Sequence, residues 1–262
     1  MSKEESIHQQ KPQKAVAEMT DEILFRQPEC THLGDCPICY LPLLEGKYKI
    51  TFFDCCSNTV CTGCWLANNR GEKSVLEQKC MFCRTPVSND RNFILDRMTK
   101  RTEVGDPFAM TRLGVELLDK KDYEGAFQYL SKAVALGYTE AHYIIAGMNT
   151  LGVGVGEDEA KMIHHLEQAS IGGHPSSRYL LAKYEEENGR MDRAAKHCII
   201  AAKLGYDDAL KMVKECYISG FVTKEDFAAA LRGHQAAIDA TKSDQRTKAE
   251  EFYTKFFSSS AN

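Results

Sequence analysis

The feature that most constrains this chain is the spacing of its cysteines. Cys36 and Cys39, Cys61 and Cys64, and Cys80 and Cys83 are three pairs, each separated by two residues. Between the first and second pairs stand the adjacent Cys55 and Cys56. Nine of the eleven cysteines lie between positions 30 and 83, and only Cys198 and Cys216 fall beyond. Scattered cysteines would read as small buried hydrophobes; clustered ones read as metal ligands. A two-residue gap lets both sulfurs of a knuckle reach one ion at about 2.3 Å, and tetrahedral zinc takes four ligands, so these eight thiols match two ions. Every coordination position is then filled by protein, which makes the expected zinc structural. A thioredoxin-type redox site has no support, because no strand–helix–strand pattern surrounds any knuckle.

Composition narrows the setting. A formal charge of −4 over 262 residues gives no strong electrostatic case for nucleic acid or an anionic membrane. No apolar run approaches the ~20 residues that span a bilayer. The opening "MSKEESIHQQ" has no apolar core of a secretory signal. The expected compartment is cytoplasmic or nuclear, not secreted, where thiols stay reduced.

Four regions separate along the chain. Residues 1–29 are polar and read as mostly disordered, with a short helix over "TDEILF". Residues 30–100 carry the cysteines, 106–240 are rich in alanine and leucine with a helical period, and 241–262 form a tail that begins helical. The third region repeats itself. Gly137, Gly173 and Gly205 align, as do Ala109, Ala141, Ser177 and Ala209, at intervals of 32, 36 and 32 residues. Such a period means stacked helical pairs, expected over 107–119 with 122–136, 139–150 with 158–171, 175–188 with 191–204, and 207–219 with 223–240. The longer interval holds the extra "GVGVG" at 152–156. That loop follows a helix rather than a strand, so it reads as a turn and not a phosphate cradle. His164 and His165 are adjacent on a helix and point to different sides, which favours packing over a shared ion. Cys198 and Cys216 read as packing residues within repeat helices. The tail aromatics Phe252, Tyr253, Phe256 and Phe257 are expected to cap the last repeat.

The repeats resemble the Sel-one-like family, relatives of the tetratricopeptide repeats. The second unit carries the match, in "GVGVGEDEAKM" at 152–162, with His165 where that family usually has an aromatic; Tyr129 and His197 hold the place in units one and three. The cysteine region, opening on "CPIC" and closing on "CMFCRTP", resembles a RING finger. Laid over the RING pattern, Asn58 falls at the usual histidine and Val60 at the usual aromatic, so Cys55 offers the missing ligand in an all-cysteine variant. The resemblance implies cross-bracing: Cys36, Cys39, Cys61 and Cys64 on one zinc, and Cys55, Cys56, Cys80 and Cys83 on the other. Spacing by itself also permits sequential pairing, and Cys30 or His32 is the nearest spare ligand should Cys55 not serve.

The fold these resemblances imply is mainly α, a small two-zinc cross-brace module followed by an α-solenoid of about four helix pairs, as in microalgal RING/Sel-like-repeat proteins. A RING-type ubiquitin ligase holds a charged ubiquitin-conjugating enzyme in a reactive pose. Ile38, Arg84 and Pro86 match the family's contacts to that enzyme, and the repeats would recruit a substrate protein. Asn68 stands where many active members carry a large apolar residue, with Trp65 and Leu66 earlier. The alternative function is a non-enzymatic, zinc-dependent interaction scaffold.

Overall fold

Alanine and leucine at helical spacing, broken by glycine, give the carboxy-terminal two thirds its form. The computed structural model describes residues 20–46, 49–69 and 78–259. In chain order the elements are α1 (Asp21–Leu24), β1 (Ile50–Phe52), β2 (Thr59–Cys61), α2 (Thr62–Asn68), α3 (Arg91–Glu103), α4 (Pro107–Asp119), α5 (Tyr123–Ala135), α6 (Thr139–Leu151), α7 (Glu159–Ile171), α8 (Pro175–Glu187), α9 (Met191–Lys203), α10 (Asp207–Ile218), α11 (Lys224–Ala240) and α12 (Asp244–Ser259).

Helices α4 to α11 pack as four consecutive pairs, each pair also touching the next. The starts follow local chemistry. Asp106, Asp122, Asp158 and Thr223 accept first-turn N–H groups at the starts of α4, α5, α7 and α11. Pro107 and Pro175 occupy first-turn positions, where the missing N–H costs little. The small residues Ala109, Ala141, Ser177 and Ala209 are all fully buried, so neighbouring helices approach closely there. The "GVGVG" segment is the turn between α6 and α7, opened by a left-handed Gly152 at the end of α6.

Residues 30–46, 49–69 and 78–90 form a second, smaller body. Its only sheet among the described residues is the antiparallel pair β1–β2, with Thr51 opposite Val60. Its buried cluster is Cys36, Leu43, Phe53, Val60, Cys61, Cys64 and Cys80. Trp65 and Phe82 set their rings against Phe53 at 5.5 and 5.8 Å. Helix α3 leads from this body onto α4.

Two expectations change here. The disorder expected over 1–29 lies outside the described residues up to position 19; residues 20–29 are held on the array. Arg178, fully buried in α8, donates to the Leu24 carbonyl at 2.6 Å and the Arg26 carbonyl at 3.2 Å. Leu24 is buried beside Ala146, Leu166 and Leu181. The tail does not serve as a cap for the array: α12 packs against α2 of the cysteine-rich body. The N–H of Arg246 would lie 2.7 Å from a Cβ on Gly63, so this contact needs glycine within the second knuckle. The side chains of Phe256 and Phe257 lie outside the described residues.

Candidate metal centre

The first and third knuckles are built alike. Across 35–42 the Cys36 N–H donates to the Leu41 carbonyl at 3.0 Å and the Tyr40 N–H to the Cys36 carbonyl at 2.8 Å. Across 79–86 the Cys80 N–H donates to the Thr85 carbonyl at 2.8 Å and the Arg84 N–H to the Cys80 carbonyl at 2.9 Å. Isolated bridges join Asp35 to Pro42 and Lys79 to Pro86. The residue after each knuckle turns left-handed, Tyr40 at φ 55° and Arg84 at φ 61°. Such a conformation is uncommon outside glycine and needs surroundings that enforce it.

The same turn explains how the adjacent cysteines share a site. Ser57 is left-handed at φ 55°, and its N–H donates to the Phe53 carbonyl at 2.8 Å. Phe53 thus takes the place of a knuckle's first cysteine and Cys56 that of its second. Phe53 points into the core, and Cys55 supplies the sulfur it lacks.

Two groups of four result. The sulfurs of Cys36, Cys39, Cys61 and Cys64 lie within 4.8 Å of one another, as do those of Cys55, Cys56, Cys80 and Cys83. Four sulfurs about 2.3 Å from a tetrahedral centre stand about 3.8 Å apart. The separations Cys39–Cys61 of 3.8 Å, Cys56–Cys80 of 3.6 Å and Cys55–Cys83 of 3.3 Å are of that size. Both groups are close enough to hold metal ions, and they interleave along the chain as a cross-brace does. Neither spare ligand is drawn in. Cys30 is exposed and His32 belongs to another cluster.

Amide donors surround the sulfurs. The Cys61 N–H points at Cys36 Sγ at 3.4 Å, the Cys64 N–H at Cys61 Sγ at 3.4 Å, and the Phe82 N–H at Cys80 Sγ at 3.5 Å. Asn58, at the usual histidine position, donates through Nδ2 to Cys56 Sγ at 3.3 Å. It donates to a sulfur of the second group and does not join that group itself. Burial pushes the thiols of Cys55, Cys61, Cys64 and Cys80 up. Burial also opposes ionisation of Cys36, yet the amides of Cys39, Cys61 and Ile38 bring it down to about 7. Cys83 falls to about 6, because Thr85 outweighs its burial. A divalent cation deprotonates coordinating thiols outright, and this polar cradle is suited to the resulting thiolates.

The sequence matches no known family model and no curated protein. A Sel1 repeat protein from Oxalobacter formigenes superposes with a TM-score of 0.50 at 26% identity, covering 60% of this chain and 67% of its own. The helical array is similar to a Sel1-repeat solenoid. A protective antigen of uropathogenic Escherichia coli strains, displaying an SLR fold, aligns at 25% identity with a TM-score of 0.48. That alignment covers 56% of this chain, which spans only 33% of the antigen's length.

Two arginines on helices outside the cysteine segment carry no signal of their own in the sequence. Arg246 of α12 donates to the Pro42 carbonyl at 2.7 Å, to the Leu41 carbonyl at 3.0 Å and to Cys39 Sγ at 3.5 Å. Arg97 of α3 donates to the Pro86 carbonyl at 2.9 Å and pairs with Asp54 at 3.1 Å. The equivalent prolines of two like knuckles are therefore each held by a helix outside the cysteine segment. The one local signal was Asp90, which accepts the Asn92 N–H at 2.9 Å as the cap of α3. Of the residues matched to a partner surface, Ile38, Arg84 and Pro86 are all exposed on the outer turns of the two knuckles. Asn68 is exposed at the end of α2.

Proposed function

We propose that this chain is a zinc-dependent adaptor of the RING ubiquitin-ligase class, working in a reducing cytoplasmic or nuclear compartment. Both thiol groups hold structural zinc. The outer turns of the first and third knuckles receive a ubiquitin-conjugating enzyme, and the repeat array receives a substrate protein on the concave face that stacked helical pairs create. One observation carries this reading: Ile38 is 43% exposed on a knuckle whose first cysteine is fully buried, and the cationic Arg84 is exposed beside the last ligand. An apolar anchor with an exposed guanidinium suits a protein partner, since arginine's planar fork can bridge two carbonyl or carboxylate groups.

A second reading, a scaffold without catalysis, is favoured by a specific placement. Asn68 is polar and exposed where many active members carry a large apolar contact. Trp65 sets its ring against Phe53. Pro86 does not discriminate between the readings, because its twin Pro42 closes the other knuckle in the same way.

The test is single-turnover discharge of ubiquitin from a panel of loaded conjugating enzymes. Stimulation by the wild-type chain, lost in Arg84→Ala and Ile38→Ala at unchanged metal content, supports the ligase. No stimulation with any enzyme, or equal stimulation by both variants, leaves the scaffold.

A further inference from the structure

A third cluster, separate from the two thiol groups, sits where the smaller body meets the array. His32 lies on the approach to the first knuckle, Glu45 on the loop before β1, Glu140 in the first turn of α6, and His174 at the start of α8. The His32 and His174 side chains are 5% and 2% exposed, and their rings stack at 4.3 Å between centroids. Tyr143 stacks on the other face of His174 at 4.4 Å.

The carboxylates divide the ring nitrogens between them. Glu140 Oε2 lies 3.2 Å from His32 Nε2 and 3.1 Å from His174 Nε2. A carboxylate between two Nε2 atoms accepts a hydrogen bond from each ring N–H, and this network assigns both tautomers. Both Nδ1 atoms then carry lone pairs. They face Glu45 Oε1, at 3.7 Å from His32 and 3.5 Å from His174. The other Glu45 oxygen is held by the Ser176 hydroxyl at 2.5 Å. His32 Nδ1 and Glu45 Oε1 are both buried without a hydrogen-bond partner. His174 Nδ1 accepts the Ser177 N–H at 3.2 Å as the cap of α8, a bond that its one lone pair must leave to reach an ion. Three acceptors thus converge in a buried place, and two of them, His32 Nδ1 and Glu45 Oε1, have no donor.

We propose that His32 Nδ1, His174 Nδ1 and Glu45 Oε1 bind a third divalent cation of the zinc class. Two imidazoles and one carboxylate are a donor set of borderline-soft first-row ions. Glu140 supplies the outer carboxylate that orients both imidazoles, an arrangement typical of metal-ligating histidines. Ligands about 2.1 Å from a tetrahedral ion stand about 3.4 Å apart, close to the separations from Glu45 to both rings. The rings are only 16° from parallel, so full coordination requires them to splay at their Nδ1 edges. Three protein donors leave one position open, unlike the closed thiol cages. The cluster forms part of the wall of a cavity of 360 Å³ that Phe52, Phe108 and Tyr138 also line. Ligands from both bodies meet at this ion, which therefore ties the cysteine-rich body to the array at the α7–α8 turn. The backbones already touch there: the His32 N–H donates to the Gly173 carbonyl at 3.1 Å.

Cobalt titration of the full chain, with metal counted by native mass spectrometry, tests the site. Wild type is expected to bind three equivalents, two with thiolate-to-cobalt charge-transfer absorption and one without. His32→Gln and Glu45→Gln should each lose only the third, with the thiolate absorption unchanged; that absorption also reports that the variants are folded. Glu140→Gln should weaken the third ion by about 10–100-fold, as loss of an outer carboxylate does. Saturation of wild type at the thiolate sites alone would overturn the proposal, as would three equivalents retained at full affinity by His32→Gln or Glu45→Gln.

Discussion

The cysteine-rich body and the helical array both bury cysteines, and the same residue does different work in each. In the array, Cys198 and Cys216 sit among Ala182, Ala194, Ala201, Met212 and Val213, where burial pushes both thiols up and leaves them as small apolar fillers. In the smaller body, Cys36, Cys61, Cys64 and Cys80 are four of the seven residues in the buried cluster. Strands of three residues and one short helix cannot close such a core by apolar burial alone. The contrast teaches that burial fraction by itself does not say what holds a region together. In the array each residue removed costs a local contact, whereas in the smaller body each cysteine removed breaks a group of four.

Four changes would break or sharpen that contrast. The largest effect is expected from Cys55→Ser. It should release the ion of the second thiol group and loosen the turns that meet there, since a structural site supplies about 10–16 kcal/mol in small zinc peptides. Metal counting should fall by one while the helical circular dichroism of the array persists; an unchanged count would show that the adjacent cysteines do not both ligate. Leu130→Ala should do the reverse. Leu130 is fully buried between α4 and α6, so its truncation should cost the array about 2–5 kcal/mol in denaturant unfolding, with the metal count intact. Asn58→Ala should lower affinity for the ion at Cys56 by about 10–100-fold in competition with a chromogenic chelator, because it removes a donor to that sulfur. No change in affinity would make Asn58 a bystander.

The smallest effect concerns pH. Burial opposes ionisation of Asp106, but Ser57, Arg101 and the Ala109 N–H together hold its carboxyl below the usual range. Its charged form is favoured in the fold, so its stabilisation is complete above the ordinary carboxylate pKa of about 3.9 and is lost as pH falls through the lower folded value. Acid also expels the ions, so the comparison is wild type against Asp106→Asn at matched metal loading. The stability difference should be present at pH 6 and shrink below pH of about 4; a difference constant across that range would contradict the assignment.

Much of this architecture was legible in the residues. The cysteine spacing picked out the eight sulfurs that gather in two groups of four, and the glycine and small-residue register placed four helical pairs within a residue or two of their observed bounds. What the residues did not disclose depends on contacts between distant segments. Helix α3 has Met98 as its one fully buried residue, too weak a stripe to announce a helix. The tail aromatics suggested a cap on the array, but it is the glycine of the second knuckle that admits α12 to the smaller body. Arg178 gives no sign in sequence that it will pin residues 24 and 26, because no local period links positions so far apart. The pairing of His32 with His174 is hidden for the same reason. Cys55 was legible as a candidate for the second group of four, whereas the turn that brings it there, with Phe53 in place of a first cysteine, became visible only from the backbone.

The central claim is that two thiolate-held ions shape the smaller body and that the array stands without them. Hydrogen exchange followed by mass spectrometry on the full chain, before and after the metal is stripped by a strong chelator under reducing conditions, tests it most directly. The account predicts that amides of residues 35–66 and 79–87 lose protection while those of α5 to α10 keep theirs. Protection of the knuckles that survives metal removal, or its loss in both regions together, would contradict it.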